Sequence, residues 1–77
     1  DRNRWRVNGM LPVEDFQKVY PALKGLQEVD TMGGLLVALK EVVPRVGESA
    51  AIDGLQLIAV VADDRRVREL VVKRSNR

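Results

Sequence analysis

Residues 30–54 read DTMGGLLVALKEVVPRVGESAAIDG, and the order of the breaks in this stretch decides the fold. Asp30 or Thr31 caps a helix, because a side-chain oxygen there accepts hydrogen bonds from the first backbone N–H groups. Pro44 ends the helix, since a proline ring cannot continue the helical hydrogen bonding. The apolar residues between them recur at helical spacing. They predict a buried face made of Met32, Leu35, Leu36, Leu39, Val42 and Val43.

Two adjacent glycines stand in the first turn of this helix. Gly33 and Gly34 each cost roughly 1 kcal/mol of helix propensity, and close approach of the helix to another backbone would offset that cost. The alternative is a phosphate cradle made of free N–H groups at the helix start. Glu28 and Asp30 would repel an anion there, so packing is favoured. Gly33 and Gly34 remain weak cofactor-binding candidates.

The residues after the helix predict two antiparallel strands joined by a tight turn. An extended segment starts at Val46, and residues 50–52 lead into Asp53 and Gly54, a strong two-residue hairpin signal. Residues 55–62 are apolar at nearly every position. A strand that is apolar on both faces is expected in the middle of a sheet and covered on both sides.

The amino-terminal part predicts one strand and one helix. Residues 4–7 alternate arginine with Trp5 and Val7, which is typical of a half-exposed strand whose apolar side chains face the core. Pro12 suits the first position of a helix, and Pro21 ends that helix by disfavouring helical geometry at the residue before it. The expected apolar stripe of this helix is Val13, Phe16, Val19, Tyr20 and Leu23.

The carboxyl-terminal residues predict the last strand. Within residues 67–73 the apolar positions break strict alternation, which predicts a bulge near Arg68 and Glu69. We expect residues 21–29 to form an irregular connection, with a short extended piece near Leu26, and residues 75–77 to form a frayed tail.

Together these elements predict one α+β domain over residues 1–77. It should contain a mainly antiparallel sheet of about four strands, with two helices packed on one face. A chain of 77 residues buries only about 60% of its unfolded surface, so its core is thin. Because the first residue is Asp1 and not methionine, we interpret the sequence as a segment of a longer protein.

The composition disfavours several classes of function. There is no cysteine and no histidine, which removes disulfides, the commonest general base and the commonest zinc ligand. The remaining polar residues show no spacing typical of an acid–base pair, so we expect no enzymatic activity. The longest apolar run, residues 57–62, is far below the ~20 residues of a membrane helix, so direct membrane insertion is not expected.

Basic residues cluster at both ends of a chain whose net charge is only +2. A positive face forms if the first and last strands are neighbours. We favour a solvated face paired with Glu69, Asp63 and Asp64, and rank an acidic partner next. Nucleic acid is disfavoured, because only Trp5 could stack on bases. Within this set Arg65 and Arg66 are weak nucleotide-binding candidates. The basic residues are Arg2, Arg4, Arg6, Arg65, Arg66, Arg68, Lys73 and Arg74.

Asp63 and Asp64 could hold a hard cation through carboxylate oxygens, and they are weak metal candidates. Two adjacent acidic residues lack the further ligands of such a site, and arginines follow at once. A polar turn is therefore the favoured role. Similarly, Trp5 could anchor a partner, but the only tryptophan of a small chain more often belongs to its core.

The ordered pattern resembles the transporter-associated domain of CorC/HlyC-type proteins, the hemolysin-like and magnesium/cobalt-efflux family. The likeness covers nearly the whole chain. The matching stretches are Trp5-Arg6-Val7-Asn8-Gly9, Asp15-Phe16, Asp30-Thr31-Met32-Gly33-Gly34-Leu35, Pro44-Arg45-Val46-Gly47-Glu48, Asp53-Gly54-Leu55 and Arg65-Arg66-Val67.

The resemblance implies a fold and a role that the residues alone do not. The fold would be similar to part of the FAD-binding fold of the vanillyl-alcohol-oxidase type. The role would be regulation of ion transport in a cytoplasmic domain of a membrane-associated protein. The partners would be neighbouring CBS domains, the membrane region of the same protein and a second copy in a homodimer. No catalytic residues and no resident cofactor are implied. The alternative is a module that binds FAD or an adenine nucleotide.

Overall fold

The computed structural model describes residues 3–75, which form four strands and two helices. The sheet is antiparallel throughout, and its strand order is β1-β4-β3-β2. In chain order the elements are β1 (Arg4–Asn8), α1 (Val13–Gln17), α2 (Met32–Lys40), β2 (Ser49–Ile52), β3 (Leu55–Ala62) and β4 (Val67–Arg74).

The two helices lie on one side of the sheet, which confirms the predicted α+β architecture. Helix α2 contacts all four strands, and α1 packs against α2. Helix α1 reaches the sheet through Phe16, whose ring meets Trp5 of β1 edge to face at 5.3 Å between centroids. Trp5 is half-buried and packs against the core, as its favoured interpretation predicted.

The core between the sheet and α2 is almost entirely aliphatic. Burying one such side chain stabilises the fold by about 1.5–3 kcal/mol, so each of these residues contributes strongly to folding. All of them lie on one face of the sheet, on α2 or in the connection before it. The largest fully buried side chains are Leu23, Met32, Leu35, Leu36, Leu55, Leu57, Leu70 and Val72.

The opposite face of the sheet differs from the expectation of a strand covered on both sides. Strand β3 is interior, as predicted, but no helix among residues 3–75 covers its second face. Ile58 and Val60 are half-buried there. Val71, the neighbour of Ile58 on β4, is 7% exposed.

Both helices end earlier than the sequence predicts. Helix α1 stops at Gln17, three residues before the predicted end at Tyr20, so Val19 is 58% exposed and does not belong to an apolar stripe. Helix α2 stops at Lys40 rather than Pro44. Glu41 takes a left-handed conformation and its N–H bonds the Val37 carbonyl at 2.7 Å, which turns the chain away from the helix axis.

The early end of α2 moves the valines after it out of the core. Val42 is 61% exposed and Val46 is 62% exposed, so Val42 is not on the buried helix face. Strand β2 begins at Ser49 and not at Val46, because residues 44–48 form a turn in which Gly47 donates to the carbonyl of Ala59 at 2.8 Å.

The predicted turn and bulge are both present. Asp53 and Gly54 have φ values of 53° and 83°, the pair of positive angles that a tight two-residue hairpin requires. On β4, Arg68 is an extra residue between the pairs Val61↔Glu69 and Ala62↔Val67. A second register shift lies on β3, at Val60, and was not predicted.

The connections match their predictions in part. Residues 21–29 are irregular, as expected, but no extended piece occurs near Leu26, where the chain forms turns. The predicted frayed tail is wrong at Ser75, whose N–H donates to the Gly54 carbonyl at 2.8 Å, and residues 76–77 lie outside the described residues.

Candidate functional site

The amino terminus of α2 rests directly on the bulged start of β4. A methyl group at Gly33 would lie 2.8 Å from both the Gly9 and the Val67 carbonyl oxygens, which are rigid backbone atoms. Gly9 itself approaches the Val67 carbonyl too closely for any side chain, and its N–H donates to the Arg68 carbonyl at 2.7 Å. Close backbone approach therefore explains Gly33, and Gly9 is part of the same contact.

The first N–H groups of α2 already have partners within the protein. The N–H of Met32 donates to the Leu11 carbonyl at 2.8 Å, and that of Gly33 to the Gly9 carbonyl at 2.8 Å. The N–H of Gly34 donates to Thr31 Oγ1 at 3.1 Å, so Thr31 is the residue that caps the helix. A phosphate at this helix end would have to displace these bonds, and this geometry supports the packing interpretation.

The four weak cofactor candidates nevertheless line one open groove of about 310 Å³. Gly33 and Gly34 lie on its α2 side, and Arg65 and Arg66 lie on the turn between β3 and β4. We call this feature the arginine groove and define it by Met10, Gly33, Gly34, Val37, Arg65 and Arg66.

The two arginines of the groove differ from Arg6 and Arg68 of the neighbouring strands. Arg6 pairs with Glu69 at 2.8 Å, and Arg68 pairs with Asp63 at 2.7 Å. Neither Arg65 nor Arg66 has a carboxylate partner among residues 3–75. The Nη1 atom of Arg66 lies 3.7 Å from the sulfur of Met10, a weak acceptor.

The predicted positive face forms only in part. Strands β1 and β4 are neighbours, and Arg4 stands opposite Lys73 in the register. The expected pairing with Glu69 and Asp63 is present, whereas Asp64 is exposed and forms no ion pair with the described residues. Arg2, a further member of the predicted basic set, lies outside the described residues.

Asp63 uses both of its carboxylate oxygens to hold the turn before β4. Oδ1 accepts hydrogen bonds from the N–H groups of Arg65 and Arg66, and Oδ2 accepts one from Arg68 Nε. The backbone N–H of Arg65, then that of Arg66 and the Arg68 side chain, lower the pKa of Asp63 from 3.8 to about 2. These bonds occupy the atoms that a cation would need.

Neither a metal centre nor a spanning helix is found in the part of the chain that the structure describes. Residues 3–75 contain no cluster of three or more carboxylates that could hold a metal ion. Among the same residues no helix combines the length and the apolarity required to cross a membrane.

Sequence reasoning missed the apolar half of the arginine groove. The sequence predicts no role for Met10, although it is 60% exposed, lines the groove and contacts Arg66 there. Val37 stands beside the buried positions of α2 and is half-buried at the groove wall. The sequence signal that could have pointed to this surface is an apolar methionine directly after Gly9, in the turn that follows β1.

The fold and the surface define a small α+β module built for packing and contact, and three comparisons place it in a family. The protein-family model CorC_HlyC, described as the transporter associated domain, matches residues 1–76 of the chain. The chain is 36% identical to the magnesium and cobalt efflux protein CorC of Escherichia coli over 72 residues, which cover 94% of the chain and 25% of that protein.

Solved structures agree with this match. A CorC-associated region of Neisseria meningitidis superimposes with a TM-score of 0.88 at 32% identity, covering 96% of this chain and 91% of that chain. A domain of a Xylella fastidiosa hemolysin in complex with Mg²⁺ and Mn²⁺ gives a TM-score of 0.81 at 25% identity, covering 95% and 89%. The chain belongs to the CorC_HlyC transporter-associated domain family. It spans a quarter of the length of the CorC protein it matches.

Proposed function

We propose that this chain is a non-enzymatic regulatory and interaction domain of a larger, CBS-containing protein of the hemolysin-like or magnesium/cobalt-efflux type. It modulates ion transport by docking to neighbouring parts of that protein. The proposal depends mainly on the family match over residues 1–76. Similar proteins include magnesium and cobalt efflux proteins.

The described residues support a role in contact rather than in chemistry. The side chains that are fully removed from solvent in residues 3–75 are hydrophobic, so none of the described titratable groups sits in a dry, preorganised position that catalysis would use. Asp63, whose pKa is shifted most clearly, is committed to a turn. Surface contact is therefore the function that this fold supports best.

The proposed partners are the CBS domains and the membrane region of the same protein. This arrangement places the chain in the cytoplasm, attached to a membrane-associated protein. A second copy is a further partner, since Ile58 and Val60 are only half-buried on the sheet face that no helix among residues 3–75 covers. Light scattering of the purified chain separates monomer from dimer.

The test uses the full-length protein that contains this chain, with and without residues 1–77. We expect Mg²⁺ and Co²⁺ efflux to persist after the deletion, with a changed dependence on ion concentration. Gly33→Val, which forces a side chain into the Gly9 and Val67 backbone, should reproduce the effect of the deletion. The exposed Arg45→Gln variant serves as the matched control, and its efflux should stay normal.

Efflux kinetics that do not change in the deletion variant would contradict the regulatory role. Immunoblots of the membrane fraction must accompany each measurement, because loss of the protein from the membrane also abolishes transport. If the deletion variant is absent from the membrane while Gly33→Val remains present, the comparison of Gly33→Val with Arg45→Gln decides the result.

A further inference from the structure

The arginine groove combines an apolar wall with two cationic groups that lack a carboxylate partner among residues 3–75. Met10 and Val37 supply the wall, and Met10 adapts its shape easily because its side chain is unbranched. Arg65 and Arg66 stand at the rim and are exposed. Such a surface suits a ligand that carries negative charge next to an aliphatic group.

Charge complementarity predicts that the ligand is negatively charged. At the same end of the sheet, Arg6 and Arg68 are each neutralised by a carboxylate within the domain. Asp63 accepts from the backbone N–H groups of Arg65 and Arg66 and pairs its other oxygen with Arg68, and the exposed Asp64 beside Arg65 forms no ion pair with the described residues. The two guanidinium groups of the groove therefore keep their charge available for an external anion.

The backbone geometry favours a carboxylate over a phosphate. Phosphate sites at helix ends depend on free N–H groups, and those of Met32, Gly33 and Gly34 already donate within the protein. Recognition is then left to the arginine side chains, whose planar fork makes two parallel hydrogen bonds with a carboxylate or with a phosphate. The preference for a carboxylate therefore depends on the occupied N–H groups and on the apolar wall. The apolar wall adds affinity for an aliphatic side chain beside the acid.

We propose that the arginine groove is a docking site for an acidic peptide segment in which aspartate or glutamate alternates with leucine, isoleucine or valine. The carboxylates bind Arg65 and Arg66, and an aliphatic side chain packs between Met10 and Val37. This inference rests on the interaction role proposed above and assigns it a surface and a partner chemistry.

The test uses the 77-residue chain and a fluorescent six-residue peptide that alternates aspartate with leucine. Its matched control replaces each aspartate by asparagine. We expect saturable binding of the acidic peptide, weakened by a rise in salt from 50 to 500 mM because exposed charges are screened. In ¹H–¹⁵N spectra the amides of Gly34, Val37 and Arg66 should shift. Equal binding of the asparagine peptide, or shifts confined to another surface, would overturn the proposal.

Variants then separate the groove from general attraction to a basic protein. Arg65→Gln combined with Arg66→Gln should weaken the acidic peptide at least about tenfold, the size expected for losing charge-assisted hydrogen bonds. Met10→Gln should weaken it less, since it removes only apolar contact. Arg45→Gln carries the same charge change at an exposed position outside the groove, and should bind normally. If Arg45→Gln and the double variant lose peptide affinity equally, binding at the arginine groove is refuted.

Two further probes distinguish other occupants. Inorganic phosphate or AMP that displaces the peptide at low millimolar concentration would identify a phosphate site and overturn the peptide proposal. In the full-length protein, one outcome is that efflux changes in the deletion variant and stays normal in the double arginine variant. That result would overturn the proposal that the groove is a docking site, while the regulatory role of the domain would stand. If the chain binds the peptide but efflux is unchanged after the deletion, the proposed regulatory role is contradicted and the docking site in the groove is supported.

Discussion

Tyr20 Oη donates a 2.9 Å hydrogen bond to the backbone carbonyl of Asp53 and so joins the end of the α1 region to the β2–β3 turn. The side chain of Asp53 completes the connection, because its Oδ2 atom accepts from the N–H groups of Lys24 and Gly25 at 2.8 and 3.3 Å. The hairpin turn thus holds the irregular connection of residues 21–29 against the sheet.

Two separate substitutions that break this connection should each destabilise the domain, the second more than the first. Tyr20→Phe deletes one hydroxyl donor and should lower the free energy of unfolding by about 0.5–1.5 kcal/mol. Asp53→Ala removes both backbone contacts and leaves alanine at φ 53°, so a loss of about 1–3 kcal/mol is expected. Urea denaturation followed by circular dichroism measures both. Asp64→Ala is the control, and a loss as large as that of Asp53→Ala would contradict the assignment.

The adjacent glycines of α2 should respond differently to alanine. At Gly33 a methyl group meets two backbone oxygens that cannot move, so we expect Gly33→Ala to lower the free energy of unfolding by roughly 1–3 kcal/mol. At Gly34 the methyl group meets two side-chain atoms, Thr31 Oγ1 at 2.9 Å and Val29 Cγ1 at an ordinary contact distance of 3.7 Å. The gain in helix propensity then offsets the weakened cap, and Gly34→Ala should stay within about 1 kcal/mol of the parent. Equal losses in the two variants would refute backbone approach as the reason for Gly33.

The central part of the fold was predictable because local signals and tertiary packing agree there. Asp53 and Gly54 require positive φ angles for their turn, and the structure contains them. The expectation that a glycine of α2 allows close backbone approach is confirmed at Gly33. The break in alternation after Val67 correctly predicted the bulge at Arg68, since an extra residue shifts every following side chain to the other face.

The errors arise where a helix ends before its apolar spacing does. Val42 continues the helical spacing of α2, yet the left-handed Glu41 turns the chain before that position is reached. Val19 continues the stripe of α1, but the helix ends at Gln17. The arginine groove was only half predictable, because the sequence does not show that Met10 and Val37 meet the turn that carries Arg66. Likeness to the FAD-binding fold stays a prediction.

The turn before β4 should make stability depend on pH in the acid range. The pKa of Asp63 is about 2 in the folded chain, whereas an Asp carboxyl without partners has a pKa of 3.8. The folded protein therefore favours the ionised form. This contribution is complete above about pH 4 and is lost as the pH falls through 2. Asp63→Asn should therefore be less stable than the parent at pH 7.

Melting temperatures of the two proteins should converge between pH 4 and pH 2. Asp64→Asn alters the neighbouring exposed carboxylate by the same change of charge, and its difference from the parent should remain small at every pH. A stability gap for Asp63→Asn that persists unchanged down to pH 2 would show that the loss does not come from the ionised carboxylate.

Nucleotides and flavins should not stabilise the isolated chain. A ligand at a hundred times its dissociation constant raises the free energy of unfolding by ~2.7 kcal/mol, which a thermal-shift titration detects readily. Because the N–H groups of Met32, Gly33 and Gly34 already donate within the protein, we expect no shift with millimolar FAD, ATP or AMP. A saturable shift that disappears in the Arg65→Gln and Arg66→Gln double variant would instead establish the groove as a cofactor site. A shift that survives in that variant would place the ligand elsewhere on the domain.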